Sequence, residues 1–112
     1  MTELNGHPRH DLDGELTSPV RFSIVAALAN GERAEFSFVR DAIEVSDSVL
    51  SKQVSRLEAA ELIEVHKGYV GKRPRTWLSI TTEGANRYQQ HVRALHAVIA
   101  TVAATSETEA TQ

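Results

Sequence analysis

There is no cysteine among the 112 residues. That absence removes disulfides, cysteine-ligated zinc and thiol nucleophiles together, and with them several enzyme classes. No apolar run approaches the ~20 residues that a membrane-spanning helix needs, and the opening "MTELNGHPRH" lacks the basic-then-apolar order of a secretory signal. The expectation is a soluble, cytoplasmic protein with no membrane partner. Also missing are a glycine-framed nucleophile, a glycine-rich phosphate loop and any evident pair of catalytic carboxylates, so an enzyme is not expected. One further absence is local. Between Val65 and Ser79, "VHKGYVGKRPRTWLS", there is no acidic residue, although the whole chain has a formal net charge of -3.

What is present suits one small fold. A composition of 41% hydrophobic and 24% charged residues is ordinary globular usage and argues against disorder throughout. The length allows a single modest core but not a core plus an independent catalytic module. Residues 1–17 mix Gly, Pro, His and Asp around Leu12 and Leu16, and read as a loose arm ending in a short helical turn, its order dependent on a partner surface. "SPVRFSIVAALANG" offers Ser18 as N-cap and Pro19 at the first helical position, sets Val20, Ile24 and Leu28 on one face, and stops at Asn30-Gly31. "EFSFVRDAIEV" predicts a short second helix with Phe38, Val39, Ala42 and Ile43 inward and Arg40, Asp41 and Glu44 outward.

A third helix over 47–60, capped by Ser46 or Asp47, carries an apolar stripe of Leu50, Val54 and Leu57. Its other face is Ser48, Ser51, Lys52, Ser55 and Arg56. "LIEVHKGYVGKRPRTWLSI" alternates at both ends and reads as a hairpin with a long basic tip over 66–75, projecting between Gly68 and Gly71. "TTEGANRYQQHVRALHAVIATVA" then predicts a helix over 82–104. Its seam of Ala85, Tyr88, Val92, Leu95, Ile99 and Val102 is spaced as if to meet another helix. Residues 105–112 are polar and read as a disordered tail.

Helix, helix, turn, helix, hairpin, long helix is the order of a winged helix-turn-helix. The stretches "SDSVLSKQVSRLEAAELIEV" and "GKRPRTWLSITTEG" resemble the short single-domain winged-helix transcriptional regulators of the MarR and ArsR type, over about Ser18 to Leu95. The resemblance implies a mainly α fold with a small antiparallel β-hairpin, a DNA-binding core over 18–81 and a dimerisation helix over 82–104. It implies a cytoplasmic homodimeric repressor of transcription on double-stranded DNA, and it leaves room for a small-molecule effector of unnamed chemistry. One position departs from the pattern: where such regulators end the third helix on glycine, this chain has Glu61.

The residues themselves suit that reading. Ser48, Ser51 and Ser55 are short enough to approach base edges, while Lys52 and Arg56 reach phosphates or a guanine. Lys67, Lys72, Arg73 and Arg75 form the chain's dense cationic cluster, suited to a phosphate strand or the minor groove. The acid that makes the net charge negative is in the arm (Glu3, Asp11, Asp13, Glu15) and the tail (Glu107, Glu109), and is expected away from the DNA face. Leu12, Leu16, Tyr88, Val92, Leu95, Ile99 and Val102 are the expected dimer contacts; the seam packing back on its own domain is the alternative.

Three lesser features complete the reading. His7, His10 and Asp11, or His91 and His96, are candidate metal ligands, but a five-residue spacing does not put the second pair on one helical face, and no metal or other cofactor is expected. Trp77 is expected to pack as core against the third helix. The alternative function is a winged-helix protein-protein interaction module without DNA binding, which would carry apolar side chains where this chain has serines and cations.

Overall fold

The computed structural model describes the backbone of residues 6–110 and the side chains of residues 6–101. Two 3-10 turns, Pro8–Asp11 and Gly14–Leu16, precede α1 (Pro19–Leu28), β1 (Ala34–Glu35), α2 (Phe36–Ile43), α3 (Asp47–Ala59), β2 (Ile63–Val70), β3 (Arg73–Ile80) and α4 (Thr82–Ala110). The strands form one antiparallel sheet in the order β1-β3-β2. Ile24, Leu28, Val39, Leu50, Leu57, Leu62 and Leu78 are fully buried where the three helices meet the sheet. This is a winged helix with a long C-terminal helix.

Local chemistry accounts for most boundaries. Ser18 accepts from the backbone N–H of Arg21 and Pro19 occupies the first helical position, so α1 starts where the capping residues dictate. Ser46, rather than Asp47, caps α3 by accepting from Val49 N–H, and Asp47 instead takes Arg40 at 2.8 Å. In α2 the inward residues are Phe36, Val39 and Ile43. Phe38 is 64% exposed and Ala42 is exposed too, because the helix begins directly from β1 and its phase follows from that strand. Two residues are too few to leave an alternation signal, which is why β1 was not expected.

Glu61 ends α3 as glycine would. Its φ is 65°, Leu62 N–H donates to the Leu57 carbonyl at 3.0 Å, and Glu61 N–H donates to that of Glu58 at 2.9 Å. That is a Schellman motif with a left-handed glutamate, and buried Leu57 and Leu62 supply its apolar contact. Glu44, φ 60°, ends α2 in the same manner, with Val45 N–H reaching the Arg40 carbonyl at 3.2 Å. Each left-handed glutamate costs about 1 kcal/mol, which burial of the flanking leucines at α3 offsets. Thr81 then caps α4, accepting from Gly84 N–H at 2.8 Å and donating to the Glu61 carbonyl at 2.7 Å.

The hairpin differs from its expected shape. Val70 pairs with Arg73, so the connection is only Gly71-Lys72, with Gly71 at φ 62°, and Lys67, Arg73 and Arg75 ride on strands instead of a long loop. Gly68 lies within β2, where a Cβ would come 3.2 Å from Cζ3 of Trp77. Trp77 itself pairs with His66 and Glu35 on the sheet face opposite Leu78, so it is turned away from α3 and lies under the Arg33 guanidinium at 4.9 Å. The backbone of α4 is helical to Ala110, past the expected end at residue 104, since "TVAATSETEA" holds no glycine or proline to stop it. The side chains of Val102, Glu107 and Glu109, and all of Glu3, lie outside the described residues.

The arm is fastened to its own chain. Asp13 receives both Nε and Nη2 of Arg87, at 2.6 and 2.9 Å, and its backbone N–H donates to Nδ1 of His91 at 2.9 Å. Leu16, expected at a dimer interface, is only 2% exposed and packs within this chain's core. The described part of the arm is held by contacts within its own chain.

Candidate nucleic-acid interface

An α-helix turns 100° per residue, so Leu50, Val54 and Leu57 on the core side of α3 place Ser48, Ser51, Lys52, Ser55 and Arg56 on its outer arc. All five are exposed, as expected. Ser51, Ser55 and the carboxylate-bearing Glu58 line the α3 wall of a cleft of about 330 Å³ between α3 and the hairpin, whose far wall is Val65, Lys67 and Thr76. Two hydroxyls on a helix therefore face an ammonium on a strand across an open groove. Such a surface offers donors to phosphate and adaptable partners to base edges.

The hairpin's cations do not share one face. Strand residues alternate sides, and Lys67, paired with Thr76, lies on the α3 side of the sheet. Arg73 and Arg75 lie on the side of Trp77, with Lys72 in the turn between. Arg75 is half-buried and its Nε is 3.6 Å from the Glu35 carboxylate, whereas Lys67, Lys72 and Arg73 are exposed. Tyr69 and Val70 at the tip are 72% and 52% exposed, so the projecting end is partly apolar. Four cations within nine residues thus divide into one beside the serines, two at the tip, and one engaged by a carboxylate.

Around α3 runs a set of polar contacts that sequence gave no reason to expect. Arg21 is buried, its Nε donating to the Glu15 carbonyl at 2.7 Å and its Nη1 to Oε1 of Gln53 at 2.9 Å. The Glu15 carboxylate takes Nε of Arg56 at 2.9 Å. The expectation that the arm's acid stands clear of the outer face of α3 is therefore incorrect for Glu15. These partners are 6, 32 and 41 residues apart along the chain, beyond any helical or strand spacing.

Several ionisations are set by these neighbours. The Arg87 guanidinium holds the Asp13 carboxyl below the usual carboxylate range, and Asp13 in turn raises Arg87. Burial pushes His91 down, against the opposing pull of Asp13. Its Nδ1 accepts from Asp13, so hydrogen-bond geometry assigns the ring proton of the neutral form to Nε2. Arg40 is raised and Asp41 lowered, each chiefly by their mutual hydrogen bond. Among the described residues no cluster of three or more His, Cys, Asp or Glu could hold a metal ion, and no helix is long and apolar enough to cross a membrane.

The seam of α4 is divided between two roles. Tyr88 stacks on Phe22 at 5.7 Å and packs on the core, and Leu95 helps line a largely apolar groove of about 330 Å³ with Leu12, Leu16, Pro19, Phe22 and His91. Val92 is half-buried, and Ile99 is 64% exposed. His91 and Ala94, not the seam, are the residues of α4's middle turns that this chain buries most.

The architecture has known counterparts. Over 75 residues the chain is 27% identical to an uncharacterized protein of Methanocaldococcus jannaschii, a match covering 67% of this chain and 82% of that protein. The transcriptional regulator homologue protein from Pyrococcus horikoshii superposes with a TM-score of 0.77 at 27% identity, over 91% of this chain and 98% of that one. The PcaV transcriptional regulator from Streptomyces coelicolor, solved with its natural ligand, superposes with a TM-score of 0.67 at 20% identity, over 92% and 73% of the two chains, a likeness of fold. A family model described as a winged helix DNA-binding domain matches residues 20–99, which takes in the outer arc of α3, the hairpin and most of α4; the chain belongs to the winged helix DNA-binding domain family.

Proposed function

We propose that this DNA-binding regulator is a homodimeric, sequence-specific repressor of transcription. α3 lies in the major groove, presenting Ser48, Ser51, Lys52, Ser55 and Arg56, and the hairpin carries Lys67, Lys72, Arg73 and Arg75 to the backbone or the minor groove. The observation that carries the reading is the exposed serine and cation arc of α3 facing Lys67 across an open cleft. Short hydroxyls permit close approach to bases, and the flanking cations supply the salt-dependent attraction.

Dimerisation uses the side of α4 that this chain leaves open, with Val92 and Ile99 at its centre, Tyr88 and Leu95 at its margin and Val102 continuing the spacing. Two copies would set two α3 helices about one turn of DNA apart. The apolar groove beside His91 is the place for a small effector.

The test is fluorescence anisotropy of a labelled duplex selected by the full chain from a random pool, titrated beside a scrambled duplex at several salt concentrations. The reading expects tight, salt-sensitive binding that prefers the selected duplex. No binding to either duplex at low salt would overturn it and favour a protein-protein interaction module.

A further inference from the structure

We propose that Glu15 is a positioning residue for DNA binding, holding the Arg56 guanidinium by its Nε so that the two terminal nitrogens are presented to the duplex. The inference rests on the DNA-binding reading above and names how one of its contacts is organised. Arg56 stands at the edge of the outer arc of α3, and its side chain is 57% exposed. Among the described residues its one hydrogen bond runs from Nε to Oε1 of Glu15 at 2.9 Å. Nε is the nitrogen that cannot take part in an end-on fork, so a carboxylate there fixes the plane of the guanidinium while leaving its outer edge for a phosphate or a guanine.

Glu15 is itself firmly placed, which is what a positioning role requires. Its backbone N–H donates to Oδ1 of Asp13 at 2.9 Å, and its carbonyl accepts from Arg21 at 2.7 Å. Asp13 is tied to Arg87 and His91 on α4, while Arg21 reaches Gln53 on α3. The Glu15 side chain is 25% exposed and lies 3.6 Å from the guanidinium of Arg21 as well. A carboxylate gripped at both ends of its own backbone lowers the ordering penalty that a long, free arginine would meet on binding DNA.

The sign of the effect separates this role from its rival. A carboxylate near DNA repels phosphate, so by charge alone removing Glu15 strengthens binding to every duplex. Positioning predicts the reverse for alanine. Glu15→Ala weakens binding to the selected duplex about fivefold, the ordering penalty of one long side chain. Glu15→Gln, whose amide oxygen still accepts from Nε, binds at least as tightly as wild type.

The experiment measures affinities of the full-length wild type, Glu15→Ala, Glu15→Gln, Arg56→Ala and Glu15→Ala/Arg56→Ala for the duplex selected by the wild type. The expected result is that the alanine effect disappears in the Arg56→Ala background. Tighter binding by Glu15→Ala as well as Glu15→Gln would make Glu15 a competitor of DNA, and an equal loss with and without Arg56 would place its role in folding the arm. Either overturns the proposal while leaving the DNA-binding reading intact. Failure of the wild type to select any duplex instead overturns the reading beneath it.

Discussion

Gly84, at the third position of α4, is where helix propensity and packing give opposite answers. An exposed glycine within a helix loses about 1 kcal/mol relative to alanine, so Gly84→Ala should stabilise the chain if propensity decides. The structure forbids it. A Cβ at residue 84 would lie 2.1 Å from the Leu62 carbonyl oxygen, 2.9 Å from its carbon and 3.0 Å from Cγ1 of Ile80, where ordinary contact begins at 3.4 Å. The same carbonyl accepts Thr81 N–H at 3.0 Å, and Leu62 and Ile63 are at most 1% exposed, so retreat on either side disturbs the α4 cap or the core. Overpacking of about 1–3 kcal/mol and a weakened cap of about 1 kcal/mol outweigh the propensity gain, giving a net loss of about 2 kcal/mol. For a domain of this size that lowers Tm by roughly 8 °C. Thermal unfolding followed by circular dichroism measures it, with Gly14→Ala as control because a Cβ there meets nothing within 4 Å. A Gly84→Ala melting point equal to or above wild type would refute the close approach of α4 to Leu62.

Other perturbations follow the same logic. Glu61→Gly relieves the left-handed strain at the end of α3 and should raise stability by about 0.5–1 kcal/mol; urea unfolding would show it, and an unchanged midpoint would mean that residue 61 does not adopt φ 65°. Lys72→Ala/Arg73→Ala should weaken binding to all duplexes alike and reduce the salt slope by about two, whereas Arg75→Ala, engaged by Glu35, should reduce it by less than one; a single change at Arg75 matching the double change would contradict the engagement of Arg75 by Glu35. His91 is pushed down by burial, so the unfolded chain binds its proton more readily. Stability therefore falls as pH drops below the ordinary histidine value of about 6.5, and Asp13, lowered, contributes its own loss only in the more acidic carboxylate range. His91→Asn, which keeps an acceptor for Asp13 N–H but cannot titrate, should flatten the melting temperature between pH 7 and 5, and an unaltered slope would locate the titration elsewhere.

What could be read from the sequence was whatever repeats at short range. Ser18 and Ser46 announced their helices because an N-cap acts within three residues, and Leu50, Val54 and Leu57 declared a buried face through period alone. The serine and cation arc of α3 followed at once as the complement of that stripe. The hairpin was legible as alternation but not as two separate faces, because four cations close together in sequence look like one cluster until the register assigns Lys67 to one side and Arg75 to the other. Phe38 and Trp77 misled for a related reason: large apolar residues suggest core, yet β1 sets the phase of α2, and Trp77 alternates with Leu78. Nothing local marked Glu15 as a partner of Arg56, or Asp13 of Arg87 and His91, since those pairs arise only when the arm folds back.

That fold-back changes how the acidic balance of the chain should be understood. A net charge of -3 on a DNA-binding domain suggests acid kept at a distance, and the described carboxylates show a different use. Asp13 binds Arg87 on α4 and Glu15 binds Arg56 on α3, so two arm carboxylates neutralise cations on two different helices and join them through a span in which only Gly14 intervenes. His91 and Leu16 also wall the apolar groove, so the groove and the Glu15–Arg56 pair share the same arm. The two arm carboxylates therefore engage cations of α3 and α4, whereas Lys52 on the outer arc of α3 and Lys67 at the cleft remain exposed.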